Sequence, residues 1–86
     1  MGDDLYASQI LWRKVIITAM RDIASEKRKL RVAAAKWALT TDFTEVCVNA
    51  GIPAEPMKLT IGKLFVMRLP LARYHCARLE TVILGA

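Results

Sequence analysis

The sequence predicts an all-α fold, a compact bundle of four or five short helices forming one domain over residues 1–86. Three observations predict it. Apolar residues recur at spacings of three and four rather than two. Ala, Leu, Lys, Arg and Met are frequent, and these residues lose little on entering a helix. Hydrophobic residues make up 55% of the chain, interrupted by only four Gly and three Pro, which is enough apolar surface to close one core.

The first helix is expected from about Ser8 to Ala24, capped by Ser8 or by an early aspartate, Asp3 or Asp4. Leu5, Trp12, Val15, Ile16, Ala19, Met20 and Ile23 fall on one face as its core stripe, with Arg13, Lys14, Thr18, Arg21 and Asp22 around the rest. Ile10 and Ile17 lie on another face, assigned to packing on a neighbouring helix, with a second subunit as the alternative. Ser25-Glu26-Lys27 holds no Gly or Pro, so a break there competes with a single long helix. A second helix then covers about Glu26 to Leu39. Its inner face is Leu30, Ala33, Ala34, Trp37 and Ala38, and its outer face Lys27, Arg28, Arg31 and Lys36. Both tryptophans are expected to be mostly buried.

Asp42-Phe43-Thr44-Glu45 reads as a capping box that starts a short helix of about two turns. Phe43, Val46, Cys47 and Ala50 face inward, and Gly51 ends the helix in a left-handed conformation. Ile52 returns to the core. The next helix runs from about Ala54 to Val66, with Met57, Ile61, Leu64 and Phe65 inward and Lys58, Leu59, Gly62 and Lys63 elsewhere. Pro70 breaks it around Met67 to Leu69. A final amphipathic segment, about Leu71 to Leu84, is lined by Leu71, Tyr74 or His75, Leu79, Val82 and Ile83.

Residues 42–66 have the layout of a helix-turn-helix-like unit. Such a unit needs a small residue where the second helix crosses the first, a glycine at the turn, an apolar residue just after it and anchors along the second helix. Cys47, Gly51, Ile52 and Met57 stand at those spacings, supported by Val46 and Ala50. The run Val46-Cys47-Val48-Asn49-Ala50-Gly51-Ile52-Pro53 looks like the helix-turn-helix of bacterial repressors. Thr60, where an aliphatic anchor is usual, and Pro56, inside the second helix, depart from that pattern. A plain αα-hairpin with a glycine stop accounts for the same residues.

A second resemblance rests on Leu11-Trp12-Arg13 with Val15-Ile16, then Ala19 and Asp22, Ala35 and Trp37, Asp42-Phe43, Val46-Cys47 and Ala50-Gly51-Ile52. Over about Leu11 to Met57, half the chain, it resembles small uncharacterised phage and prophage proteins of proteobacteria. The resemblance implies an accessory or regulatory protein of phage type and no particular mechanism.

Charge carries the functional expectation. The net charge is +5, and from Pro56 to Leu79 there are five bases (Lys58, Lys63, Arg68, Arg73 and Arg78) and no acid. Lys27-Arg28-Lys29 with Arg31 and Lys36 makes a second cluster. Such asymmetry suits an anionic partner. The expected function is therefore DNA binding by a phage or prophage transcription regulator acting as a homodimer on duplex DNA. The helix from Ala54 to Val66 would enter the major groove, with Glu55, Lys58, Leu59, Lys63 and Arg68 as contacts, and Thr44 and Asn49 would hold the backbone. Two other readings stay open: an accessory protein binding a host protein such as RNA polymerase or a defence component, and a packaging factor similar to small terminase subunits.

An enzyme is not expected. Paired carboxylates in an apolar setting and a glycine-rich phosphate loop are both missing from the sequence, and His75 beside Cys76 diverges from it by about 100° on a helix. Cys47 and Cys76 form no Cys-x-x-Cys pair, so no metal or cofactor is expected and both thiols should be unpaired. No apolar run approaches the roughly 18 residues that span a bilayer. With an acidic Met-Gly-Asp-Asp start, the expected location is the cytoplasm, with no membrane partner.

Overall fold

The computed structural model describes residues 2–85, with side chains from Ala7 to Gly85. Five helices follow one another: α1 (Gly2–Ile23), α2 (Arg28–Trp37), α3 (Thr41–Ala50), α4 (Ala54–Val66) and α5 (Leu69–Gly85). The fold is all-α, as the periodicity predicts, and none of the described helices is long and apolar enough to cross a membrane. Leu5, Asp3 and Asp4, given core and capping roles above, lie outside the described side chains.

α1 is the hub, packed against each of the other four helices. It begins at Gly2, so Ser8 is an exposed residue inside the helix and not its cap. No Gly or Pro interrupts residues 3–23, and nothing there stops the helix from running on toward the N-terminus. Its buried arc is Ile16, Ile17, Ala19, Met20, Ile23 and Ala24. Ile17 therefore belongs to the core, whereas Val15 is 36% exposed and Trp12 is half-buried. The arc is turned because α3 and α5 both cover the side that carries Arg13. The Arg13 Nε donates to the Ala50 carbonyl at 2.8 Å and its Nη1 to the Ile83 carbonyl at 2.9 Å, joining α1 to the C-terminal ends of α3 and α5.

The chain breaks between α1 and α2 without Gly or Pro because arginines satisfy the carbonyls freed there. Arg73 donates to the Ala24 carbonyl at 3.1 Å, and Arg31 to the carbonyls of Ser25 at 3.0 Å and Glu26 at 3.2 Å. On α2 the buried line is Ala34, with Ala38 just beyond the helix end, while Leu30 and Ala33 are not buried. Alanines let α2 approach closely, and a close-set helix buries only a narrow line.

α3 is capped by Thr40 and not by the predicted Asp42–Glu45 box. The Thr40 hydroxyl accepts from the Phe43 amide at 3.3 Å and donates to the Trp37 carbonyl at 2.6 Å. Asp42 is thereby free to accept from the Trp37 indole at 2.7 Å. Trp37 meets Phe43 edge to face at 5.3 Å, a pairing that leaves the indole half in water and Phe43 fully buried.

α4 has the predicted bounds and buries Met57, Ile61 and Leu64, but Phe65 is 38% exposed. Pro70 falls in the first turn of α5, where its missing amide needs no partner. α5 lies antiparallel to α1, with Ile83 near Arg13, Cys76 near Met20 and Arg73 near Ala24. Its buried residues are Ala72, Cys76 and Ile83. Leu71, Val82 and Tyr74, the last offered as an alternative to His75, are expected to line that amphipathic face, but they are exposed. The small Ala72 and Cys76 win the inward positions because they allow α5 to approach α1, where the Cys76 thiol donates to the Met20 carbonyl at 3.3 Å.

Arg13→Ala should cost about 2–3 kcal/mol, since two carbonyls at helix ends lose a charged donor. Arg13→Lys should recover little of it, because a point-like ammonium does not span both acceptors. Chemical denaturation of the three proteins tests both statements, and equal midpoints would remove Arg13 from this role.

Cys47 and Cys76 are free and buried, and burial pushes both thiols above their ordinary range, with Glu80 adding to the rise at Cys76. Native protein should therefore react slowly with an aromatic disulfide reagent and release two thiols on unfolding. Unfolded thiols ionise first, so stability should be retained below about pH 8 and decline as pH rises past the ordinary thiol range. Stability flat from about pH 7 to pH 10 would contradict the shift.

Candidate nucleic-acid interface

The α3–turn–α4 unit is built around Gly51, which has φ 70 and ψ 31, the one left-handed residue among those described. Its amide donates to the Val48 carbonyl at 3.1 Å and the Ile52 amide to the Cys47 carbonyl at 2.9 Å, closing the end of α3. A Cβ at Gly51 would lie 3.2 Å from the Gln9 side chain of α1, so both dihedral and space favour glycine. Cys47, Ala50, Met57 and Ile61 are buried around the turn. The two departures from the repressor pattern have local reasons. Thr60 turns its hydroxyl back to the Pro56 carbonyl at 2.9 Å and leaves the anchoring to Ile61 and Leu64. Pro56 is the third residue of α4, within the turn whose amides have no helical partner.

The seven residues expected to touch DNA do not form one surface. Thr44 is half-buried and Asn49 exposed, and five positions apart on α3 they point about 140° away from each other. Glu55, Leu59 and Lys63 follow one another at intervals of four along the exposed side of α4. Lys58 is half-buried and forms an ion pair with Glu55 at 3.3 Å. Arg68 is exposed in the link to α5.

The five bases of the acid-free stretch are largely engaged elsewhere. Arg73 pairs with Glu26 at 3.5 Å, and Arg78 lies over the Tyr74 ring and donates to its hydroxyl at 2.8 Å. Lys63 and Arg68 make no ion pair among the described residues. Neither do Lys27, Arg28, Lys29 and Lys36, on or beside α2. The strongest free cationic edge is thus α2, which the sequence marks as a basic cluster without marking it as a site.

Between α2 and α4 lies an open apolar groove of about 370 Å³. Its floor is Ala38 and Ile61, its walls include Val32 and Ala35, and Leu39 and Phe65 stand at the rim, 74% and 38% exposed. Lys36 and Lys58 are the only charged residues lining it among those described. Gly62 also lines it, and a Cβ placed there meets nothing within 4 Å. On the outer face of α4, Gly62 sits between Leu59, 65% exposed, and Val66, 81% exposed. The sequence carries one sign of this surface, a glycine inside a helix three residues after one apolar residue and four before another.

The two glycines should respond oppositely to alanine. Gly51→Ala should destabilise by about 1–2 kcal/mol through the left-handed backbone. Gly62→Ala should stabilise by about 0.5–1 kcal/mol, since a mid-helix glycine with open space above it gains helix propensity from a methyl group. Thermal melts of both variants read the two signs.

Comparison of the chain with protein-family models, with curated proteins and with solved structures found no match.

Proposed function

We propose that the chain is a small DNA-binding protein, a regulator of the phage type implied by its resemblance to phage and prophage proteins. The observation that carries the reading is the set of cations without an acidic partner on and beside α2. Lys27, Arg28, Lys29 and Lys36 stand there, and the strip continues through Val32 and the α2/α4 groove to Lys58. Phosphates neutralised by such a strip release condensed counterions, which supplies most sequence-independent affinity. α4 presents its N-terminal turn and Leu59 to the same partner, with Lys58 and Lys63 at its two edges. In this reading the lysines meet backbone phosphates and Leu59 meets a thymine methyl. A unit this small reads few base pairs, so two copies on paired half-sites complete the regulator.

Replacing Lys27, Arg28 and Lys29 together with Gln should weaken binding to every duplex. The salt dependence should become shallower by about two to three units, at roughly 0.9 for each phosphate that is no longer neutralised. Lys63→Gln alone should change it by about one unit. Fluorescence anisotropy on labelled duplexes across a salt series measures both. Absence of duplex binding by the unaltered protein at low salt and tens of micromolar, about the weak limit of non-specific affinity, would overturn the proposal.

A further inference from the structure

We propose that the α2/α4 face docks an acidic amphipathic helix from a protein partner. Such docking does not presuppose DNA binding, and because it uses Lys36, Lys58 and Leu59 of the same strip, a duplex and the helix would compete for this face.

Charge selects the sign of the occupant. Lys36 and Lys58 line the groove, and Lys58 and Lys63, five residues apart on α4, flank the Leu59–Gly62–Val66 stripe from opposite sides. This apolar seam carries Glu55 at its N-terminal end and is bordered by lysines along the rest, where it is complementary to a helix whose own seam is bordered by carboxylates. A second copy presenting the same face would set Lys58 and Lys63 against their own kind, so self-pairing through α4 is disfavoured. Glu55 holds Lys58 at 3.3 Å in the free protein, and an incoming carboxylate takes its place.

Shape selects a helix. Gly62 leaves the middle of the seam bare, and the space above it is open, so a partner backbone can approach α4 most closely there. Nothing packed within the domain requires a glycine at this position. The apolar surface also extends past the groove to Leu59 and Val66, which span about two helical turns. A small amphiphile filling the groove would leave both in water. A helix lying across Gly62, with apolar residues at intervals of three and four, covers them together with Phe65 and Leu39.

The test uses the full chain and a synthetic amphipathic peptide of about five helical turns, with Leu along one face and Glu on both flanks. A twin peptide carries Lys in place of Glu. Amide shifts in nitrogen–proton NMR spectra are followed at low salt without DNA. Binding of the Glu peptide, with shifts centred on Lys36, Lys58 and Gly62, and no binding of the Lys peptide, is expected. Gly62→Leu fills the seam and should weaken the Glu peptide about tenfold or more while the melting temperature does not fall. Lys36→Glu, a surface change, should weaken it as well and permit binding of the Lys peptide. Equal binding of the two peptides, an unaffected Gly62→Leu variant or no shifts at millimolar peptide overturns the proposal. So does decanoate or a duplex shifting these amides when the Glu peptide does not. Sedimentation of the protein alone completes the test: a dimer that Gly62→Leu dissociates would assign the face to a second copy and end the proposal.

Discussion

Arg13 holds the architecture together at its most demanding point. The last carbonyls of an α-helix have no partner within the helix, and in this domain the ends of α3 and α5 converge on α1. A single planar guanidinium donates to Ala50 at one and to Ile83 at the other. Its positive charge also sits where both helix dipoles are negative. α1 can therefore serve as the common wall for four helices without leaving those carbonyls bare. The same device recurs where α1 ends, with Arg73 on Ala24 and Arg31 on Ser25 and Glu26. At the α1–α2 break Arg73 and Arg31 stand where a glycine cap is missing, at the end of α3 Arg13 adds to the Gly51 stop, and the three account for part of the chain's basic character.

That use of arginine changes the meaning of the net charge. The five bases between Pro56 and Leu79 look like one electrostatic unit, yet at a spacing of five residues they turn about 140° per step around a helix. Arg73 and Arg78 are drawn into contacts of their own, and Lys58 is held by Glu55. Among the described residues the charge without an acidic partner is concentrated on and beside α2, with Lys63 on α4 and Arg68 after it. The cations open to an anionic partner are those that remain after structural cations are subtracted, and counts along the chain do not separate the two kinds.

Gly51 and Gly62 show two uses of one residue type. At Gly51 the backbone is left-handed and Gln9 closes the space, so the fold needs glycine. At Gly62 the backbone is helical and the space is open, so the fold loses helix propensity and gains nothing inside the domain. An apolar groove rimmed by exposed Leu39 and Phe65 adds to that local cost. Features that are unfavourable for the isolated domain and cluster on one face fit a surface completed by a partner.

Helix content, the left-handed stop at Gly51, the bounds of α4 and the buried set Phe43, Val46, Cys47, Ala50, Met57, Ile61 and Leu64 are all legible along the chain. They follow from local rules: propensity, periodicity and the conformational freedom of glycine. On α1 and α2 periodicity finds the buried Ile16, Ala19, Met20, Ile23, Ala34 and Ala38, but it does not fix where the buried face ends. The same reading turns Val15, Leu30, Leu71 and Val82 inward, and these are exposed, while on α5 the smaller Ala72 and Cys76 take the inward positions. Close approach between helices favours small side chains, and a pattern along one helix does not reveal how near its neighbour lies. Thr40 displaces Asp42 as a cap because the Trp37 indole, folded back from the preceding helix, claims the carboxylate. Packing likewise decides which cations are free and where the α2/α4 groove opens. Both depend on pairs of residues far apart in the chain, and only the folded arrangement brings such pairs together.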